Sequence, residues 1–135
     1  MSEFEVVVAP KAGRPVGPFS QAVKLKPGAS LVFCSGALGR NPADKKLPEG
    51  VEAQTRQSLA NVRNVLEAAG TSMSNVVKAT ILLSDISDLK AVSRIYAEHF
   101  PVPHPARVAY AVATLPAHAL VEIEVIAVCP TRSAL

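Results

Sequence analysis

Aromatic and sulfur-containing residues are scarce in this sequence. It has no tryptophan, two tyrosines and four phenylalanines among 135 residues, and its only cysteines are Cys34 and Cys129. Two cysteines are too few for a disulfide framework and are typical of a reducing compartment. The longest uncharged apolar stretch, residues 108–121, contains Pro116 and is shorter than the roughly 18 residues that a membrane helix needs. These absences exclude disulfide-rich and membrane-spanning classes.

Neither positive nor negative charge strongly predominates in the sequence. Lysine and arginine number 14 and acidic residues 11, so the net charge is +3, and the basic residues are scattered rather than gathered in a nucleic-acid-binding run. Nucleic acid is therefore not expected as a partner. The N-terminus begins with acidic residues and shows no secretory signal. The C-terminal Ser133-Ala134-Leu135 is similar to a peroxisomal S-K-L signal but lacks its lysine. A cytoplasmic location is predicted, with the mitochondrion left open.

Hydrophobic residues make up 49% of the chain, and most are small or β-branched, which favours a sheet with closely packed helices. The length predicts a single domain over residues 1–135. The periodicity predicts strands at 4–9, 22–26, 31–35, 76–83, 106–112 and 120–128. It predicts helices at 51–69 and from an N-cap at Asp85 or Ser87 to Pro101. The order βββ-α-β-α-ββ indicates an α+β fold, with two helices packed on one face of a mixed β-sheet.

The predicted first helix carries one apolar stripe, which consists of Thr55, Leu59, Val62, Leu66 and Ala69, with Gly70 as the residue that follows the helix end. The last strand alternates instead. Its one face is apolar: Val121, Ile123, Val125 and Ala127. Its other face mixes aliphatic side chains with Glu122 and Glu124. Such a face is poorly suited to full solvation and fits a subunit interface that contains a polar pocket.

Arg107 is the most conspicuous charge, because it lies inside an apolar strand. Its guanidinium could bind the carboxylate of a small acid, or form a structural ion pair with Glu122 or Glu124. The two glutamates leave the same face of one strand. Either could serve as a general acid or base if partly desolvated, or be a rim carboxylate paired with a basic residue. The three histidines lack metal-ligand spacing, so no metal is predicted.

Several short segments, in this order and at these separations, resemble one family along nearly the whole chain: the RidA/YjgF/YER-type (L-PSP) reactive-intermediate deaminases. They are Gly17-Pro18-Phe19-Ser20-Gln21-Ala22, Ser35-Gly36, Gln54, Gln57-Ser58-Leu59-Ala60-Asn61, Ala68-Ala69-Gly70, Val76-Val77-Lys78-Ala79-Thr80, Asp85-Ile86-Ser87-Asp88-Leu89, Tyr96, Pro105-Ala106-Arg107, Leu115-Pro116 and Val121-Glu122-Ile123-Glu124.

The resemblance implies a chorismate-mutase-like fold that assembles as a homotrimeric barrel with ligand pockets between subunits. It implies a 2-iminobutanoate/2-iminopropanoate deaminase, which hydrolyses reactive enamine or imine acids such as 2-aminoacrylate to 2-keto acids and ammonia. Pyridoxal-phosphate enzymes such as dehydratases release these acids, and the resemblance implies no cofactor for the deaminase itself. The alternatives are an endoribonuclease or translation inhibitor, and a non-catalytic small-acid-binding or chaperone-like module.

The resemblance also assigns roles to residues. Arg107 would hold the substrate carboxylate, and Glu122 would activate the attacking water and shuttle protons. Ser35 and Gly36 would line the pocket, and the main chain at Ala109 would face the imine nitrogen. Two further substrate-binding positions differ from the usual pattern: Phe19 replaces a tyrosine and Ser93 an asparagine. Ala37 stands where a glutamine is common. These departures are expected to change substrate range and rate rather than the class of reaction.

Overall fold

The computed structural model describes residues 2–130, so the C-terminal tripeptide Ser133-Ala134-Leu135 lies outside it. The strands are β1 (Phe4–Val7), β2 (Ala22–Leu25), β3 (Ser30–Phe33), β4 (Ala37–Leu38), β5 (Val76–Leu83), β6 (Ala106–Ala111) and β7 (Val121–Cys129). The helices are α1 (Val51–Ala68) and α2 (Leu89–His99). The predicted order of elements is confirmed, with one addition: β4 lies between the strand predicted at 31–35 and the helix predicted at 51–69, where no element is predicted.

The main sheet has five strands in the order β3-β7-β5-β6, and β4 also pairs with β7. β5 and β6 run parallel, whereas β7 is antiparallel to β3, β4 and β5. The sheet is therefore mixed, as predicted. β1 and β2 form a separate two-stranded antiparallel sheet. β6 ends the main sheet, and one isolated bridge connects its first residue, Ala106, to Ser20.

The core lies between the main sheet and the two helices. Val121, Ile123, Val125 and Ala127 of β7 are at most 1% exposed, which confirms that this side of the strand is buried. They pack against a cluster from the helices: Leu59, Val62, Leu66, Val92, Ile95, Tyr96 and Phe100. We call this side of the sheet the helix face and the other side the open face. Four apolar side chains on the open face are 39–70% exposed: Leu31, Phe33, Val108 and Tyr110.

The end of α1 and the start of α2 agree in part with the capping residues predicted from the sequence. The α1 stripe is confirmed except at Ala69, which is exposed because the helix ends one residue earlier. Gly70 adopts a φ of +84°, the left-handed conformation that glycine tolerates at this position. Asp85 does act as a cap, since it accepts a hydrogen bond from the Ser87 amide at 2.9 Å. It caps a short 3-10 turn that leads into α2 rather than α2 itself.

No helix within residues 2–130 combines the length and the hydropathy that a membrane crossing requires.

Candidate functional site

Arg107 lies on β6 with its side chain toward the helices. Its register partner is Ala79 of β5, which in turn pairs with Val125 of β7, and both partners belong to the buried core. The guanidinium reaches α2, where Nη1 donates a hydrogen bond to Ser93 Oγ at 3.0 Å. The strand thus positions the base of the side chain and the helix positions its charged end.

Two aromatic rings hold the same guanidinium. Its central carbon lies 5.1 Å from the centroid of the Phe19 ring and 5.2 Å from that of Tyr96, both within cation–π range. Tyr96 is completely buried and stacks on Phe100 at a centroid distance of 4.3 Å. Contacts with two rings restrict the position of the guanidinium, and its N–H groups other than the one that donates to Ser93 can bind an anion.

Burial governs the electrostatics here. Desolvation lowers the pKa of Arg107, and the neighbouring Tyr96 opposes that shift; an arginine nevertheless stays charged at physiological pH. Desolvation raises the pKa of Tyr96, with Arg107 acting in the opposite direction. Among residues 2–130 the side-chain ion pairs are Arg56–Glu98 and Arg94–Glu52. The alternative that Arg107 forms an ion pair with Glu122 or Glu124 is therefore wrong within one chain.

A loop before β2 supplies Phe19. Gly17 lies against the arginine, because a Cβ atom on this residue would be 3.2 Å from Arg107 Nη2. Ser20 fixes the loop to the start of β6: its hydroxyl donates to the His104 carbonyl at 2.5 Å and its amide to the Pro105 carbonyl at 3.1 Å. The segment thus forms one lip of a pocket beside Arg107.

A cavity of about 640 Å³ lies beside Arg107, between this loop and α2. Ser93 and Phe19 also line it. A second group of side chains lies on the other side of the sheet.

Glu122 projects from the open face, where its register partners are Leu82 of β5 and Leu38 of β4. It is half-buried, whereas Glu124 on the same face is exposed. A Cβ atom at Gly36 would lie 2.8 Å from both Cδ and Oε2 of Glu122. Absence of a side chain at Gly36 therefore lets the backbone approach the carboxylate. The structure brings Glu122 and Gly36 together, and Ser35 adjoins Gly36 in the chain.

The two groups do not meet within one chain. Arg107 shares the helix face with Ala79, and Glu122 shares the open face with Leu82. Paired residues on neighbouring strands point to the same side of a sheet, so the two side chains leave opposite sides. Ala109 follows Arg107 on the same face and packs against the core, and its backbone lies on the edge strand. A pocket that contains both charges requires a second chain.

Tyr96 contributes to the family resemblance, but no role in the site was predicted for it from the sequence. Its position three residues after Ser93 on a helix places both on one side, and that spacing is the signal that could have linked it to Arg107. For metals, residues 2–130 hold no group of three or more His, Cys, Asp or Glu side chains arranged to bind an ion.

Comparison with known proteins places these residues in context. The family model for endoribonuclease L-PSP matches residues 9–129. A relative from Arabidopsis thaliana, "Reactive Intermediate Deaminase A, chloroplastic", is 50% identical over 124 residues. The match covers 91% of this chain and 65% of that protein, so the chain spans just under two thirds of its length.

Two further proteins are similar over most of their own length. The "2-iminobutanoate/2-iminopropanoate deaminase" of Capra hircus is 45% identical, covering 91% of this chain and 88% of the relative. The crystal structure of RidA from the Antarctic bacterium Psychrobacter sp. PAMC 21119 superposes with a TM-score of 0.72 at 39% identity. That superposition covers 92% of this chain and 98% of the other.

Proposed function

The chain belongs to the endoribonuclease L-PSP family, and from this premise we propose that it is a 2-iminobutanoate/2-iminopropanoate deaminase. The observation that carries the proposal is Arg107: a half-buried guanidinium between two aromatic rings, with no carboxylate of the described chain paired to it. Such a group is suited to bind the carboxylate of a small acid. Deaminase names among relatives at 45–50% identity support the same reaction.

In the proposed reaction, a 2-imino acid and water give a 2-keto acid and ammonia. Glu122 accepts a proton from water as the water oxygen bonds to the carbon of the protonated imine, and the product of this step is a neutral carbinolamine. Glu122 then returns that proton to the amine nitrogen. As the C–N bond breaks and ammonia leaves, the hydroxyl group gives its proton to Glu122 and becomes the keto oxygen. Arg107 holds the carboxylate throughout. Because free imines hydrolyse in water unaided, orientation and electrostatic stabilisation are the contributions required of the protein.

We assign the two halves of the site to different copies of the chain. One copy would supply Arg107 with Phe19, Ser93 and the main chain of Ala109; its neighbour would supply Glu122, Ser35 and Gly36. The exposed apolar side chains of the open face (Leu31, Phe33, Val108 and Tyr110) support burial between subunits. A head-to-tail contact closes into a ring of identical sites, and a homotrimeric barrel is the assembly proposed. Residues 1–135 are proposed to act as a single domain of it, in the cytoplasm.

The activity is tested by adding the protein to a pyridoxal-phosphate-dependent threonine dehydratase and measuring the appearance of 2-ketobutanoate. The wild type should accelerate it, and Arg107→Ala should lower kcat/KM by at least about a hundredfold, since a bound carboxylate loses a charge-assisted hydrogen-bonded pair. Arg56→Ala removes an exposed arginine whose partner is Glu98 and which does not line the cavity beside Arg107, so this variant should retain most activity. A wild type that behaves like buffer refutes the deaminase.

Mixing inactive variants tests the shared site. Arg107→Ala and Glu122→Gln are unfolded together in equal amounts and refolded. A site that takes Arg107 from one chain and Glu122 from its neighbour is intact when the first chain carries only Glu122→Gln and the second only Arg107→Ala. Random assembly should then restore about a quarter of wild-type activity. A site contained in one chain would restore none.

A further inference from the structure

The cavity beside Arg107 is large for the substrates proposed above. Its volume is about 640 Å³, within the range of pockets that hold drug-sized ligands, whereas 2-iminopropanoate carries a single methyl group as its side chain. A carboxylate on Arg107 would occupy one end of this space, and the part that the neighbouring copy leaves free would hold the remainder of the substrate.

The surfaces that line this cavity are mainly apolar. They come from the loop before β2 and from α2 with its preceding turn: Val16, Pro18, Phe19, Ile86, Leu89 and Ala97. Two of them stand open to solvent, because Val16 is 98% and Ile86 54% exposed. Exposed apolar side chains around a concave surface are typical of a site that an apolar group covers.

Charge around the cavity is entirely positive. No aspartate or glutamate lines it, and the basic residues besides Arg107 are Lys90 and Arg94. Arg94 is already engaged, with its Nη2 2.7 Å from Glu52 Oε1. Lys90 is the remaining cation and could bind a second anionic group of a ligand. The apolar lining residues would instead contact an apolar side chain of a ligand. Six apolar side chains against one lysine favour the apolar ligand.

We propose that this cavity is a side-chain subsite, and that the enzyme prefers 2-imino acids with branched aliphatic side chains over 2-iminopropanoate. The proposal rests on the deaminase function above. The carboxylate would bind Arg107, and the alkyl group would lie between Phe19 and the surface formed by Ile86, Leu89 and Ala97. Burial of a methylene favours binding about fourfold. Because the subsite is open on one side, three additional carbons should raise kcat/KM by about tenfold rather than by the full product.

The test compares 2-iminopropanoate, 4-methyl-2-iminopentanoate and 2-iminoglutarate, each generated in place by an amino acid oxidase and followed against the spontaneous rate. The key variant is Ala97→Phe, which fills the subsite from the exposed surface of α2. Ala60→Phe is the matched control, because Ala60 is also an exposed helix residue but does not line the cavity. Thermal denaturation of both variants establishes that they fold.

The expected results are a preference of about tenfold for the branched substrate over 2-iminopropanoate and a preference at least about fivefold smaller in Ala97→Phe. Activity on 2-iminopropanoate should be unchanged in the control variant Ala60→Phe, which does not line the cavity. Equal activity of the wild type on the two substrates, or a parallel loss on both in Ala97→Phe, would overturn the subsite. A preference for 2-iminoglutarate would overturn its apolar character. Acceleration of none of the three would instead refute the proposed function.

Discussion

Substitution of Gly36 by alanine is a sharp test of the proposed role of Glu122. The added methyl would lie 2.8 Å from Glu122 Cδ and Oε2, while ordinary contacts of a Cβ atom are 3.4–4 Å. The carboxylate must therefore move by at least about 0.6 Å, the difference between 3.4 and 2.8 Å. It is the end of a flexible side chain, so it can turn aside without disturbing the backbone. The substitution thus displaces the proposed acid–base group while leaving the fold intact.

The size of the effect follows from that displacement. A misplacement approaching 1 Å can reduce a rate by about a hundredfold, or about 2.7 kcal/mol in the activation free energy. The free energy of unfolding should change by less than about 1 kcal/mol. Replacement of glycine restricts the unfolded chain and stabilises by up to about 1 kcal/mol, while a strained glutamate rotamer costs about as much. Gly36→Ala should therefore lower kcat/KM by about a hundredfold at nearly unchanged stability.

The assay measures the accelerated formation of 2-ketobutanoate in parallel with urea denaturation. Gly13→Ala is the matched control, because nothing lies within 4 Å of a Cβ atom at Gly13, and it should behave like the wild type in both measurements. If Gly36→Ala keeps more than about half of the wild-type activity, the contact with Glu122 does not position a reacting group and the acid–base assignment is refuted.

Three other substitutions probe stability. Gly39→Ala should destabilise the fold by about 3 kcal/mol in urea denaturation, because its Cβ would meet the backbone of Gln54, with the Cα at 2.8 Å; a loss no larger than that of Gly13→Ala would contradict this. Tyr96→Phe should stabilise by about 1 kcal/mol in thermal denaturation, since the Tyr96 hydroxyl is buried without a hydrogen-bond partner among residues 2–130; destabilisation would show that the hydroxyl is satisfied. Hydrogen bonds from Ser87 lower the pKa of Asp85 below 3.8, so its stabilising effect is present above the unfolded pKa and lost as the pH falls through the folded pKa. Asp85→Asn should accordingly flatten the acid side of the stability profile below about pH 4, and an unchanged slope would refute the linkage.

The fold was largely predictable because its signals are local. Alternation along β7 identified the buried face without any knowledge of the neighbouring strands, and the stripe from Thr55 to Leu66 identified that of α1. β4 was missed because a two-residue strand has no periodicity of its own; it exists because Ala37 and Leu38 pair with β7. Gln54 lies outside the predicted apolar stripe of α1 but is only 5% exposed. Its amide oxygen accepts from the Leu120 amide and its nitrogen donates to the Pro48 carbonyl, partners that only the tertiary fold supplies.

The surroundings of Arg107 were partly accessible from the sequence. An arginine in an apolar strand already indicated a specific partner, and the resemblance supplied Phe19 and Ser93 as neighbours. Periodicity offered no way to recognise that Tyr96 would act as a second ring against the guanidinium, because a buried aromatic on a helix stripe is most often only core. Tyr96 contacts the guanidinium because Arg107 of β6 reaches α2. The sequence pattern of each element by itself does not predict this contact between a strand and a helix.

The relation between Arg107 and Glu122 depends on a third strand, and for that reason the sequence of the two strands alone could not determine it. Alternation assigns each residue a side only relative to its own strand. The sides of β6 and β7 are connected through β5, which pairs with both, and the pairing of β5 with β7 contains an irregularity between Val76 and Lys78. A shift of one residue in either register would exchange the faces. The observed register directs Arg107 to the helix face and Glu122 to the open face, so an active site that used both charges would have to take them from two copies of the chain.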